Sequence, residues 1–284
     1  MNNLKEILQF GEINGQIKHI NEVSSGLSCG LFCSKCGDKL VAKKGKKQIN
    51  HFAHYKVENC KGAVETVLHK VSKEIIESKG YIVLPEISVK IGEQYKRYIF
   101  HRESRIEFDS IKLETKQGSI IPDIVIQKKN RKLYIEIAVT HFIDTNKKNI
   151  LVEDKISTLE IDLSKCLRGI NRQQLEDILL DSTTFKKWIY NARLEYIKSE
   201  IRNVQESMTA EYHFEDDYSR NRWHTKCPIS RTGYATYNDK CSKCFHNVKI
   251  NTDHYFGGKM SVICSGNNNA NIWKKIQELG GSYH

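Results

Sequence analysis

IIPDIVIQ (residues 120–127) and KLYIEIAVT (residues 132–140) flank the polar run KKNR at 128–131. Both segments are rich in β-branched residues with a period of two, so they read as two strands joined by a tight turn. With Lys129 and Asn130 as the turn residues, Asp123 stands opposite Glu136. Facing side chains have Cβ atoms about 4.5–5.5 Å apart, where like charges repel. A slip of one residue would turn the two acids to opposite faces and mix Ile124, Ile126, Ile135 and Ile137 with polar positions, which the apolar pattern disfavours. A divalent cation relieves such repulsion: magnesium held by one or two carboxylates and a substrate phosphate activates water for phosphodiester hydrolysis. A lysine partner, or an acid turned to solvent, is the alternative.

Outward from this hairpin, AVETVLHKVSKEIIESK (residues 63–79) reads as a helix with a core stripe of Val64, Val67, Leu68, Val71 and Ile75, terminated by Gly80. Glu65, His69 and Lys73 step by four along another side, a spacing that also suits exposed helical ion pairs. YIVLPEISVK (81–90) and RIEFDSIKLE (105–114) are strand-like, and Glu114 precedes the hairpin. After it, Asp144 is placed to cap a helix from Thr145 to about Lys155, and STLEIDLS (157–164) returns as a strand.

A helix with Glu65, then Pro122 and Asp123 heading one strand, then Glu136 within IEIAVTH on the next, resembles the PD-(D/E)xK nuclease superfamily with its αβββαβ core. HFAH at 51–54, behind the Cys33/Cys36 pair and ahead of Glu65 and His69, is similar to the CoiA-like competence protein family, over roughly residues 30–165. The resemblance implies an α/β (α+β) fold and a deoxyribonuclease dependent on Mg²⁺ or Mn²⁺. It makes Asp123 and Glu136 the metal ligands, with Glu65 completing or orienting the site. One position departs: where the superfamily carries a lysine two residues after the second acid, this chain has Ala138. Lys73 is the expected replacement, with Lys70, Lys148 and Lys155 as further candidates; His69 and His141 are secondary site residues.

Composition agrees with a polyanionic partner. The 284 residues include 45 Lys and Arg against 34 Asp and Glu, a net +11 that suits nucleic acid, which the resemblance implies to be DNA. MNNLKEILQF lacks a signal peptide's apolar run and no stretch nears the roughly 18 apolar residues of a membrane span, so a cytoplasmic protein is expected. In a reducing compartment nine cysteines read as metal ligands before disulfides. Cys33 and Cys36 followed by His51, His54 and Cys60 offer zinc one ligand more than the four it takes. The preferred set is Cys33, Cys36 and Cys60 with one histidine, His54 first, although two cysteines with both histidines would also close a site. KKGKK (43–47) forms a basic tip between the ligands.

Residues 1–32 read as a helix or a small hairpin. A long helix is expected from about 172 to 210. Phe185, Trp188, Ile189, Ala192 and Tyr196 form one apolar stripe on it, and Tyr190, Leu194, Ile197, Ile201 and Val204 a second, suited to bridging domains, to a homodimer or to a protein partner. Cys227, Cys241, Cys244 and Cys264 then suggest a second structural zinc site of zinc-ribbon type, with His224, His246 or His254 as substitute ligands and aromatic residues interleaved among basic ones. The expected domains are therefore 1–62 with a zinc-finger-like module, 63–170 nuclease-like core, 171–212 helical region, and 213–284 zinc-ribbon-like module. The leading function is a metal-dependent DNA endonuclease in bacterial competence or defence against foreign DNA. The alternatives are a non-catalytic zinc-finger nucleic-acid binder with a decayed core, and a scaffold recruiting another DNA enzyme.

Overall fold

The computed structural model describes residues 6–91, 96–204, 208–211, 213–215, 222–226, 234–236, 247–252, 260–264 and 269–283. In chain order its elements are β1 (Phe10–Ile13), β2 (Gln16–His19), β3 (Leu40–Lys43), β4 (His51–His54), α1 (Ala63–Lys79), β5 (Tyr81–Leu84), β6 (Ile87–Ile91), β7 (Lys96–His101), β8 (Ser104–Glu107), β9 (Ser110–Leu113), β10 (Ile124–Lys128), β11 (Arg131–Ala138), α2 (Thr145–Glu153), β12 (Thr158–Asp162), α3 (Arg172–Glu176), β13 (Lys186–Tyr190) and α4 (Ala192–Val204). There follow β14 (Met208–Glu211), β15 (His213–Glu215), β16 (Arg222–Lys226), β17 (Tyr234–Thr236), β18 (Asn247–Thr252), β19 (Met260–Cys264), α5 (Asn269–Glu278) and β20 (Ser282–Tyr283). The fold is mixed α and β, in two compact units: Met1–Pro85 with Glu103–Ala192, and Glu86–Arg102 with Arg193–His284. No described helix is long and apolar enough to cross a membrane.

The first unit is built on a five-stranded sheet in the order β13-β12-β11-β10-β9. β10 and β11 pair antiparallel with Ile124 opposite Ile135 and Lys128 opposite Arg131, the register expected from the sequence. Lys129 takes the left-handed φ of +53° that the tight turn demands. β11 and β12 run parallel, which requires a crossover, and α2 supplies it. Asp144 caps α2 by accepting from the Lys147 N–H at 2.7 Å.

Both sheet faces are covered, so its central strands are apolar almost throughout. On one face Ile124, Ile126, Ile135, Ile137, Leu159 and Ile161 join the α1 stripe of Val64, Val67, Leu68, Val71 and Ile75 in the main core. On the other face Val125 and Tyr134 pack with Leu151 of α2 and with Ile189. Burying one such side chain contributes about 1.5–3 kcal/mol. α1 ends where expected, Gly80 at φ +70° donating its N–H to the Ile76 carbonyl. Near the N-terminus the chain forms the hairpin β1–β2, so of helix and hairpin the second holds for residues 10–19.

The long helix expected from 172 to 210 is corrected. Residues 172–204 are instead the short α3, a π-turn at Asp177–Asp181, the strand β13 and the 13-residue α4. Trp188 and Ile189, assigned to one helical stripe, lie on consecutive strand positions and so pack on opposite faces of the sheet, Trp188 against the main core and Ile189 against the α2 side. Of the second stripe, Leu194, Ile197, Ile201 and Val204 lie on α4, whereas Tyr190 ends β13. Ile197 and Ile201 bury with Tyr98 and Phe100 of β7 and Ile272 and Ile276 of α5, forming the core of the second unit. That unit also holds the sheets β20-β7-β6, β14-β19-β18 and β15-β16-β17. Of the expected C-terminal zinc ligands, Cys227, Cys241 and Cys244 lie outside the described residues, as do His246 and His254; Cys264 ends β19 and His224 lies in β16.

Candidate metal centre and acidic cleft

Cys33, Cys36, His54 and Cys60 come together with one ligand atom from each within 4.8 Å of all the others, a group able to hold a metal such as zinc. The turn after Cys33 is tight: Gly37, at φ +73°, donates its N–H to the Cys33 carbonyl at 2.9 Å, and the Lys35 N–H points at the Cys33 sulfur at 3.4 Å. Cys33 and Cys60 sulfurs lie 4.0 Å apart. A disulfide would need about 2.05 Å, whereas a tetrahedron with metal–sulfur bonds of about 2.3 Å has edges near 3.8 Å. Burial first, then the Cys36 and Cys33 thiols, push Cys60 up to about 12. Cys36 moves the other way: burial opposes its ionisation, but hydrogen bonds from the Asp38 backbone and the Cys60 and Cys33 thiols hold it below the ordinary thiol value. Nε2 of His54 is buried with no hydrogen-bond partner, as a ligand nitrogen would be.

His51 does not belong to this group, which corrects its inclusion among the zinc ligands. It lies three residues before His54 on β4, and an odd spacing in a strand sends the two rings to opposite faces. Its Nδ1 instead faces the Ile49 carbonyl at 2.9 Å.

The second cluster lies at the ends of β10 and β11, in a cleft of about 250 Å³ whose lining includes Glu65, His69, Asp123, Glu136, His141, Lys147 and Glu160. Asp123 immediately precedes β10, and one Oδ accepts the Ile137 N–H at 2.9 Å. Its other oxygen meets His69 Nδ1 at 3.4 Å and Lys73 Nζ at 3.1 Å. Burial raises the Asp123 carboxyl, but the hydrogen bonds from His69 and Ile137 and the charges of His69 and Lys73 outweigh it and hold it at about 2. Glu136 differs: burial dominates and lifts it above the ordinary carboxylate range, although Lys147 Nζ sits 2.8 Å from one oxygen. Its Oε1 is buried without a partner. The two facing acids are thus pushed apart in acidity, one firmly ionised and one reluctant.

Glu65, in the first turn of α1, has its Oε1 3.1 Å from Nδ1 of His141, which also meets the Thr140 hydroxyl at 2.8 Å. Burial opposes its ionisation, yet hydrogen bonds from Thr140 and His141 hold Glu65 below the usual range. Lys73, buried on α1, also donates to Glu114 at 2.6 Å. Lys70 reaches Glu12 instead, at 2.9 Å.

Two residues in the cleft went unread in the sequence. Lys147 lies next to the candidate Lys148, but one step on a helix is about 100° and only Lys147 faces Glu136. Glu160 is the residue of β12 in register with Glu136, 4 % exposed, accepting the Ile143 N–H at 3.0 Å. An acid inside the apolar run TLEID is the signal that could have found it, since a carboxylate in a strand buried on both sides needs a reason.

Residues 18–63 match the family model of the competence protein CoiA, N-terminal domain. The matched segment runs from β2 to the first residue of α1 and holds all four residues of the metal centre. Neither a search of curated proteins nor one of solved structures returned a match.

Proposed function

We propose that the first unit is a metal-dependent endonuclease that hydrolyses phosphodiester bonds in DNA, with the Cys33, Cys36, His54 and Cys60 centre as a structural zinc site beside it. The observation that carries this reading is the facing pair Asp123 and Glu136, joined in one cleft by Glu65 and Glu160 and met by two lysines. The order α1, β9, β10, β11, α2, β12, with the strands β5 to β8 inserted between α1 and β9, supports it, since without that insertion it is the αβββαβ order that the sequence resemblance implies. The match of residues 18–63 to a competence family supports a place in bacterial DNA processing.

The donor types suit Mg²⁺ or Mn²⁺, all carboxylate with the partnerless Oε1 of Glu136 as an open oxygen, and an ion would have to draw them together, since among the described residues only Cys33, Cys36, His54 and Cys60 have ligand atoms already gathered for a metal. Asp123, Glu136 and Glu160 would hold the ion, which supplies an activated water and charge neutralisation when bound. The chain's own groups do the rest. Lys147, which lines the cleft, would hold the scissile phosphate and stabilise the charge that grows on it as the water oxygen, its proton released to solvent, bonds to phosphorus and the P–O bond to the leaving oxygen breaks; Lys73, which does not line the cleft, would keep Asp123 ionised. Lys147, reaching Glu136 from α2, takes the place of the lysine missing at Ala138. Glu65 orients His141 at the rim, where the imidazole can pass a proton to the departing oxygen.

One observation favours a second reading. Lys73 and Lys147 already neutralise Asp123 and Glu136, so the cleft is balanced without a metal, as in a nucleic-acid-binding protein with a decayed core. Cleavage of single-stranded, duplex and branched DNA with Mg²⁺ or Mn²⁺, wild type beside Asp123→Ala, separates the two. The nuclease reading expects wild type to cut and the folded variant not to; binding without cutting by both hands the protein to the second reading.

A further inference from the structure

We infer that the β3–β4 hairpin and the segment after it form a binding track for single-stranded DNA, an inference that rests on reading the partner as nucleic acid. Two cavities meet there. One, of about 570 Å³, surrounds the basic tip that carries Lys43, Lys46 and Lys47. The other, a groove of about 990 Å³, runs along β4 past Ile49, Tyr55, Lys56 and Val57 to Ala63 and Val64 at the start of α1. Lys47, Gln48 and His51 line both cavities, so the two share a wall. The metal centre fixes this track from beneath, since His54 and Cys60 lie in its wall.

Its chemistry alternates cation with exposed apolar surface. The tip cavity is lined by Lys43, Lys44, Lys46 and Lys47 with no acid, and the groove by Lys47 and Lys56 with Glu6 and Glu58, so the positive excess lies at the tip. Along the groove Ile49, Tyr55 and Val57 stand 58 %, 52 % and 38 % exposed. Lysines in that arrangement suit a phosphate backbone, and exposed aromatic and apolar side chains suit unpaired bases, which a duplex keeps stacked inside. Tyr55 is also held in position. Its N–H bonds to the Lys39 carbonyl at 2.9 Å, and the Asp38 carboxylate accepts the N–H groups of Lys56 and Val57 at 2.8 and 2.9 Å. A stacking platform fixed before binding loses little freedom on binding.

The test is fluorescence anisotropy of the full chain with a labelled oligothymidine and with a duplex of equal length, without Mg²⁺ or Mn²⁺ so that cleavage plays no part. Wild type should prefer the single strand. Tyr55→Ala should weaken it about tenfold and Tyr55→Phe should restore it, with zinc content equal in all three as the sign of an intact module. Lys46→Ala with Lys47→Ala should flatten the dependence of log affinity on log salt by about 0.7 for each phosphate that the lysines no longer neutralise. Equal single-strand affinity for wild type and Tyr55→Ala, or a duplex preference that the substitutions leave untouched, overturns the track. A protein that binds in this way yet never cuts DNA keeps the track and loses the nuclease reading; one that cuts while the substitutions change no binding does the reverse.

Discussion

Asp123 and Glu136 face each other across one hairpin and yet differ in what they do for the fold. Asp123 is ionised at a cost in burial that His69, Lys73 and the Ile137 N–H more than offset, so its carboxyl titrates at about 2 rather than its ordinary 3.8. A depressed carboxyl stabilises the fold fully above its unfolded value, and that contribution fades as pH falls from about 3.8 toward about 2. Asp123→Asn should therefore lower unfolding free energy by about 2 kcal/mol at pH 7, and by clearly less near pH 3, in urea titrations at the two pH values. An equal loss at both would mean that shape and not charge is what the site needs. The facing of these acids was legible because the apolar alternation on both strands and the polar turn left one register. The lysines were less so: helix periodicity placed Lys73 beside His69, but which of Lys147 and Lys148 looks inward depends on how α2 lies on the sheet, and that is a tertiary fact.

Among the elements, β4 shows how a strand sorts its own ligands. HFAH offers two histidines, and the period of two gives one to the metal centre and the other to the opposite face. Cys33→Ser should therefore lose the metal of this centre, read as one equivalent less zinc by elemental analysis, while His51→Ala should keep it; zinc lost from the His51 variant would return that residue to the ligand set. The central strands are equally specific. Ile135 is fully buried between α1 and its neighbours, so Ile135→Ala should destabilise by about 2–5 kcal/mol in chemical denaturation; a loss below about 1 kcal/mol would show a core that collapses around the gap. By contrast, residues 172–204 misled the sequence reading because Phe185, Trp188, Ile189 and Ala192 satisfy a helical spacing as well as a strand buried on both faces. Thr183 and Thr184 and the β-branched Ile189 beside Trp188 and Tyr190 were the local cues for strand.

Across the whole molecule, the first unit combines a metal centre, a basic tip and an acidic cleft on one chain whose net charge is +11. An acidic pocket on so basic a protein is an exception to its own field, which the proposed function accounts for by a divalent cation bridging acids to phosphate and the second reading by Lys73 and Lys147 alone. The second unit was the less legible half. Its core joins β6 and β7 to α4 and to the still more distant α5, and no local pattern announces a pairing between segments so far apart in sequence. The central claim is that the cleft carboxylates bind a divalent cation. Electron paramagnetic resonance of Mn²⁺ titrated into wild type and into Glu136→Gln, both carrying equal zinc, tests it most directly. A bound Mn²⁺ signal in wild type that Glu136→Gln loses, and that weakens in wild type as acid protonates the raised Glu136, is the expected result; Mn²⁺ bound equally by both proteins, or by neither, would contradict it.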